Sequence, residues 1–247
     1  HYLEPGLPPV GRNMTSAQIT SLPELVGTIC RRACLTDPDD IRSAPIARTR
    51  ITGAGLEEEH LFGLDWTDVI VSATRFTATT IEGAHFHRVI FQDCDLSGLT
   101  FVDCMLRDCV FADVKSRAQI QFVNTKIDGV YMTKITLDQL EFQRSKIGNV
   151  TVASGDCHTL SFHQCSPMNR NSELTLTQMN LTSIGGLVEL RKSGVSVHLD
   201  AELWRLLGDL FLREQGFNEI GGDNMDEIQI AIAGAAEELK LPQLPAG

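Results

Sequence analysis

Large apolar residues return on every fifth position through the middle of the chain. They fill fifteen consecutive positions of this period from Ile41 to Phe111. Ser116 breaks the series, which resumes one residue late and runs from Phe122 to Phe162. A period of five belongs to neither an amphipathic helix nor a strand, whose side-chain periods are about 3.6 and about 2. Self-similarity over this length indicates a repeat architecture, in which each repeat stacks on its neighbours.

From Thr74 to Cys109, the residue two places before each recurring position is also small or apolar. Residues two apart in an extended segment lie on the same side of the backbone. The recurring residues and those two before them are therefore predicted to point inward, and the remaining positions outward. The slip near Ser116 predicts a bulge or small loop over 115–119. The second inward set includes Thr74, Thr79, Ala84, Val89, Cys94, Leu99, Cys104 and Cys109.

Two stretches of this period, 94–98 (CDLSG) and 109–113 (CVFAD), resemble the repeat of the pentapeptide-repeat proteins. The resemblance implies a mainly β fold: a right-handed, four-sided parallel β-helix with one pentapeptide per side and about twenty residues per coil. It is strongest over 76–111 and extends over 122–162. Over 41–71 we expect irregular coils, because Glu59 falls on an inward position and Trp66 is large for an interior.

The ends of such a rod need covers, because each exposes an unpaired coil. Segment 21–35 is predicted to be a capping helix. Its Ser21 and Glu24 match a capping box, and an apolar stripe follows at Leu22, Leu25, Val26, Ile29 and Cys30. The chain is therefore divided into an N-terminal tail with this helix (1–40), the β-helix (41–165) and an acidic α/β C-terminal appendage (166–247).

The appendage is predicted to contain a hairpin over 188–199 and helices near 201–215 and 225–240. Asp200 is the expected N-cap of the first helix, and Gly216 lies beyond its end. This helix is expected either to cover the last coil or to form a homodimer or partner contact. The residues predicted for that contact are Leu203, Trp204, Leu207 and Phe211.

Charge and composition limit the classes of partner. Of the net charge of −11, residues 41–165 contribute −3 and residues 166–247 contribute −6. No basic patch is present, which argues against direct binding of nucleic acid. No run of about eighteen apolar residues is present, so no membrane span is predicted. The cysteine count is seven, an odd number, which favours a reducing compartment such as the cytoplasm.

Two groups of side chains have the chemistry of metal ligands. His85 and His87 flank an inward Phe, and two cysteines and two histidines lie within 157–165. In the second group the cysteines are predicted to point inward and the histidines outward, so one ion does not reach all four. The sequence contains no phosphate-binding loop, no Gly-x-Ser-x-Gly elbow and no Cys-x-x-Cys pair. The chain is therefore predicted to be non-enzymatic, with no metal and no cofactor.

Three functions are compatible with these features. The first is a protein–protein interaction scaffold, since rigid repeats present side chains in columns. The second follows from the resemblance alone, since some pentapeptide-repeat proteins imitate duplex DNA and bind DNA gyrase. The near-balanced charge of 41–165 argues against it. The third is a binding or targeting module of a larger bacterial protein, such as an effector, ligase or defence ATPase, because the sequence begins with His1 rather than Met.

Overall fold

The residues of the five-residue period form short parallel strands that coil about eight times around one apolar interior. A computed structural model describes residues 34–35, 46–203 and 205–206. Its elements, numbered in chain order, are β1 (Cys34–Leu35), β2 (Ile46–Ala47), β3 (Arg50–Thr52), β4 (His60–Phe62), β5 (Asp65–Ser72), β6 (Thr80–Glu82), β7 (His85–Gln92), β8 (Thr100–Val102), β9 (Met105–Arg107), β10 (Val110–Ala112), β11 (Lys115–Val123), β12 (Lys126–Asp128), β13 (Val130–Thr133), β14 (Ile135–Gln143), β15 (Lys146–Ile147), β16 (Asn149–Val152), β17 (Gly155–His163), β18 (Ser166–Pro167), β19 (Glu173–Leu176), β20 (Met179–Gly185), α1 (Leu187–Lys192) and β21 (Ser196–Leu199).

Each strand pairs in parallel with the strand about twenty residues later, which fixes one coil. Trp66 pairs with Phe86, and Phe86 pairs with Leu106. The strands of one side of the coil therefore stack into a ladder. The ladders belong to a 14-stranded sheet and a 7-stranded sheet. The predicted parallel β-helix fold is confirmed.

The solenoid has four sides, because four inward positions of the five-residue period complete one coil. The 14-stranded sheet forms faces 1 and 2, and the 7-stranded sheet forms faces 3 and 4. The inward columns that define them are Ile46, Trp66, Phe86, Leu106, Ile127 and Ile147 for face 1; Ile51, Val71, Phe91, Phe111, Met132, Val152 and Leu176 for face 2; Leu56, Phe76, Leu96, Ser116, Leu137, Cys157 and Leu181 for face 3; and Leu61, Ile81, Phe101, Phe122, Phe142 and Phe162 for face 4.

The inward columns are buried as predicted, and aromatic rings stack along them. On face 4 the rings of Phe101, Phe122, Phe142 and Phe162 follow one another with centroids 4.9, 5.0 and 5.1 Å apart. Their planes lie within 8° of parallel. The spacing matches that of hydrogen-bonded strands, about 4.8 Å, so backbone pairing and ring stacking favour the same register.

Small polar residues are tolerated inside because they bond the backbone of the preceding coil. The thiol of Cys94 donates to the carbonyl of Val71 at 3.5 Å, and the hydroxyl of Ser145 donates to that of Phe122 at 2.9 Å. A buried polar group is costly only when it has no partner. The positions two before the recurring residues therefore accept Cys, Ser and Thr as well as Val or Leu.

The corners between faces use left-handed backbone. The residue two after an inward position repeatedly has positive φ, as in Asp93 (52°), Asp103 (54°) and Asp113 (53°). Asp, Asn and Gly tolerate this region best, whereas β-branched residues are strained there. At Gly98 (φ 78°) a Cβ would also come within 3.2 Å of Ala78 Cα in the preceding coil. These corners account for the recurring Asp and Gly of the repeat.

One predicted irregularity is confirmed. The register between β11 and β14 shifts between Ser116 and Gln119, so the extra residue forms a bulge in the predicted segment. Ser116 replaces a large residue in the inward column. A cavity of about 10 Å³ lies at this level, lined by apolar residues that include Leu96 and Phe122.

The coils are regular over 46–71, which corrects the expectation of irregularity for these residues, while residues 41–45 lie outside the described ranges. Ile46 pairs with Trp66 and Ile51 with Val71, each twenty residues apart. Trp66 is 0% exposed and stacks on Phe86 with centroids 4.9 Å apart. The prediction that segment 21–35 is entirely helical is also wrong at its end, because Cys34–Leu35 form β1 and pair with β3. Residues 1–33 lie outside the described residues.

The coils continue past residue 165, where the repeat pattern in the sequence ends. The sequence separation between paired residues rises from 20 at Ile147–Pro167 to 24 at Asn149–Glu173, because four residues are inserted near 168–171. The predicted hairpin over 188–199 is wrong, since Leu187–Lys192 is a helix and Ser196–Leu199 is a strand parallel to β19. The division into three domains and the helix near 225–240 stay predictions.

Candidate interaction surface

The outer sides of the faces differ in chemistry although their interiors are alike. Face 3 carries charges of both signs, and Arg75 Nη2 lies 3.2 Å from Glu57 Oε1. Lys115, Arg117, Asp138 and Asp156 continue this mixture along the same face in exposed positions. Exposed pairs of this kind contribute little to stability, about 0–1 kcal/mol each, and they compete with an external partner for the same charges.

The corner between faces 1 and 2 holds a half-buried charge network. Arg88 Nε lies 2.5 Å from Asp68 Oδ1, and its Nη2 lies 2.9 Å from Oδ2, a bidentate pair that raises the pKa of Arg88. His87 lies 3.6 Å from Asp108. Burial lowers the pKa of His87, aided by Arg88, and burial also raises the pKa of Asp108. The network joins three successive coils, so its first role is to fix this corner.

The outer side of face 4 presents an exposed aromatic side chain, Phe62, on a parallel sheet. Phe62 is 62% exposed. Among the described residues, the other exposed large apolar side chain is Met168, at 38%. The ring of His60 lies 3.9 Å from that of Phe62. Val102 and Val123 occupy the same outward position in later coils and are half-buried. Glu82 is the strand partner of Phe62 in the next coil, and its Oε2 lies 3.0 Å from His60 Nε2. An exposed aromatic residue beside such polar groups is typical of protein interfaces.

The few charged groups on face 4 are held by neighbours on the same face. The carboxylate of Glu141 accepts hydrogen bonds from the amides of Gln119 and Gln121, the latter at 2.8 Å. His163 Nε2 lies 3.5 Å from Glu141 Oε1. At the other end of the face, His60 Nε2 lies 3.0 Å from Glu82 Oε2. These contacts hold both carboxylates in place before any partner binds. We name the outer side of face 4, from His60 to His163, the flat surface.

Of the residues predicted for a partner contact, the described part of the chain includes Leu203 alone, so the prediction stays a prediction. Leu203 is 2% exposed and belongs to the apolar core. Its backbone N–H donates to Asp200 Oδ1 at 2.9 Å, which is the predicted N-cap. Burial acts to raise the pKa of Asp200, but bonds from the N–H groups of Gln178, Leu203 and Glu202 outweigh it and lower that pKa. Trp204, Leu207 and Phe211 lie outside the described residues.

No group of three or more metal-ligating side chains occurs among the described residues. Cys157 and Cys165 are buried, whereas His158 and His163 are exposed, as the alternation predicts. The cavity of about 10 Å³ beside the bulge holds one water molecule at most. None of the helices in the described ranges has the length and apolar content that a bilayer crossing requires.

Sequence reasoning missed Phe62, although a signal was present. The five-residue pattern places position 62 directly after an inward Leu, where most repeats carry a polar residue. An aromatic residue at an outward position of a regular repeat is an exception to its pattern. Its neighbours on the flat surface become visible only when the coils are stacked.

No protein-family model and no curated protein matches the chain. Among solved structures, it is similar to full-length QnrB1, a plasmid-mediated fluoroquinolone resistance protein, with 16% identity over 72% of this chain and 93% of that chain and a TM-score of 0.25. A trypsin-treated variant of QnrB1 matches with 15% identity over 76% of this chain and 98% of that chain, with a TM-score of 0.21. At these TM-scores the similarity carries no inference about binding.

Proposed function

We propose that this chain, whose five-residue period and parallel coils are those of the pentapeptide-repeat proteins, is a scaffold that binds a protein partner through the flat surface. The observation that carries the proposal is Phe62, which is 62% exposed at an outward position of a rigid sheet. Burial of an aromatic side chain by a partner is favourable by about 25 cal/mol per Å² of apolar area. Aromatic residues are also the commonest energetic centres of protein interfaces.

The rigidity of the solenoid supports this function. Side chains on the flat surface stand on the 7-stranded sheet, whose inward side is packed with the Phe stack. A surface whose rotamers are fixed in advance loses little conformational entropy on binding. The same rigidity supports a non-enzymatic role, and the apolar cavity of about 10 Å³ beside the bulge is too small for a substrate.

The balance of charge favours a protein partner over imitation of duplex DNA. Acidic and basic side chains alternate on face 3, and those on the flat surface are held by neighbouring groups. A duplex mimic needs a continuous series of uncompensated negative charges. Five described cysteines are free thiols, which supports a location in the reducing cytoplasm. A role as module of a larger protein is compatible with this function.

The test is affinity capture from a lysate of the source cell with three forms of the full chain as bait. Phe62→Lys removes the exposed aromatic ring and places a positive charge in the first coil of the flat surface. Thr77→Lys is the matched control, because Thr77 occupies the same position of the repeat on face 3. We expect a protein that the wild type and Thr77→Lys retain and that Phe62→Lys loses. Identical captures by all three baits would contradict the proposal, and recovery of DNA gyrase by all three would favour the DNA-mimic alternative.

A further inference from the structure

Coiling brings four basic side chains together on the outer side of face 1 and at its borders. Lys126 and Lys146 lie directly opposite each other on β12 and β15. Arg144 precedes Lys146 by two residues, at the corner between faces 4 and 1, and Arg170 lies in the insertion that follows β18 at the end of the face. All four are exposed, and we name them the cationic surface. The sequence shows no basic run here, because neighbours in a ladder are about twenty residues apart.

Neighbouring carboxylates do not neutralise the cationic surface. Other cations of the rod have acidic partners, as Arg75 has in Glu57, but the ion pairs of the described residues include none of these four. In the ladder of face 1, the strand neighbours of the two lysines are each other, Met105 and Ser166. The four charges are therefore available to an external anion.

Two carboxylates in the adjoining ladders are held by neutral donors. Asp128 Oδ1 accepts hydrogen bonds from the backbone N–H and the side-chain amide of Asn149, both at 3.0 Å, and the strand neighbour of Asp128 is Arg107. Asp103 accepts a hydrogen bond from the side-chain amide of Asn124. Basic groups therefore outnumber carboxylates on this part of the rod, although the whole chain has a net charge of −11.

The stability of the fold does not account for the two lysines. Like charges directly opposite each other in a sheet are destabilising. Lysine on an edge strand protects a sheet from unwanted pairing, but β12 and β15 each pair on both sides. A like-charged pair in the middle of a sheet therefore points to a role in binding.

The insertion near 168–171 adds an apolar contact at the end of the same face. Met168 is 38% exposed, and its backbone N–H donates to the carbonyl of Ile147 at 2.8 Å, which fixes it beside face 1. The N–H of Asn169 donates to Ser172 Oγ at 3.0 Å and closes the turn. In solenoid proteins, insertions of this kind commonly lie on the binding face.

We propose that the cationic surface binds an acidic segment of a protein partner, a run of Asp and Glu with an apolar residue that packs on Met168. Charge complementarity and the exposed Met168 define this partner. A nucleic acid fits less well, because a chain of net charge −11 repels a long polyanion. The described outward positions of face 1 also hold no Phe, Tyr or Trp on which bases could stack.

The test is binding of a fluorescein-labelled oligoglutamate peptide with one Leu to the full chain, followed by fluorescence anisotropy at about 50 mM salt. Lys126→Glu/Lys146→Glu reverses two charges of the cationic surface. Lys115→Glu/Arg117→Glu is the matched control, because it reverses two exposed charges of β11 on face 3. We expect binding at least about tenfold weaker than the wild type for the first variant and within about twofold for the control, because two attractions become repulsions.

A milder variant and a second peptide complete the design. Lys126→Gln/Lys146→Gln removes the same charges without adding carboxylates, so it gives a result even if the reversed variant does not fold. It should also weaken binding. A peptide with Gln in place of Glu should bind none of the proteins. Phe62→Lys should bind the acidic peptide as the wild type does, because the inference does not rest on the proposed function of the flat surface.

Four results would overturn the inference. They are the absence of binding by the wild type, and equal affinities of the wild type and both lysine variants. A labelled DNA duplex that binds more tightly than the peptide, and is lost in the same variants, would assign the cationic surface to nucleic acid. Carbodiimide cross-linking of the wild type alone that joins Lys146 to a carboxylate of the same chain would assign it to the chain's own acidic residues.

Discussion

Phe122→Ala is expected to be among the most destabilising single truncations of the rod. Phe122 is 1% exposed and lies between Phe101 and Phe142 in the stack of face 4, with centroids 4.9 and 5.0 Å away. Truncation of a buried Phe to Ala costs about 3–5 kcal/mol, because burial is lost and a cavity remains. Loss of two stacked contacts, about 0.5–1.5 kcal/mol each, places the expected cost in the upper half of that range.

The matched control is Phe62→Ala, the same chemical change at an outward position of the same face. Phe62 is 62% exposed, so we expect a change below about 0.5 kcal/mol. Denaturant unfolding followed by far-ultraviolet circular dichroism measures both variants. Because solenoid coils are stabilised mainly by their nearest neighbours, hydrogen exchange in β8 and β14 should accelerate first in Phe122→Ala.

The refuting result is a cost for Phe122→Ala below about 1 kcal/mol, or one equal to that of Phe62→Ala. Either would mean that the inward ladder does not hold the coils together. An equal and large loss of stability in both variants would place the ring of Phe62 in the core as well, and the flat surface would then lose its exposed aromatic residue.

Three further predictions concern the corners, the thiols and the carboxyl end. Asp93→Val should destabilise the fold by about 1–2 kcal/mol, because Asp93 has φ 52° and a β-branched residue is strained in this left-handed conformation, whereas Asp93→Gly should not destabilise it. Thermal unfolding measures both variants, and an unchanged melting temperature for Asp93→Val would contradict the prediction. Burial raises the pKa of Cys94 to about 11 and that of Cys109 to about 12, so neither thiol should be alkylated at pH 8 until the chain unfolds, which mass spectrometry checks. The pKa of Asp200 is lowered on folding, so its charge stabilises the fold above the ordinary carboxyl pKa and this contribution is lost as pH falls through the folded value. Asp200→Asn should therefore be less stable than the wild type at pH 7 and equal to it near pH 2, and a pH-independent difference would refute this.

The sequence predicts the coil well because one physical rule repeats along it. Every inward position must be apolar, as at Phe101 and Phe142, so the period of five is visible without coordinates. The slip at Ser116 is visible for the same reason. The fit of Trp66 in the interior is not visible in the sequence, because it depends on Phe86 in the next coil, whose ring stacks on it with centroids 4.9 Å apart.

The end of the solenoid is hidden from sequence reasoning by an insertion. Four extra residues near 168–171 shift the period, so Leu174 and Leu176 no longer fall in the earlier register although they pair with β16. The candidate surface is hidden for another reason. Neighbours on one face are about twenty residues apart in sequence, so Phe62, Glu82 and Val102 form one surface only after coiling.

The most direct test of the scaffold account is the dissociation constant of the captured partner for purified full-length variants, measured by isothermal titration calorimetry. The account predicts that Phe62→Lys binds at least tenfold more weakly than the wild type, whereas Thr77→Lys binds equally well. Equal affinities for all three proteins would contradict it, because the partner would then bind a different face of the rod.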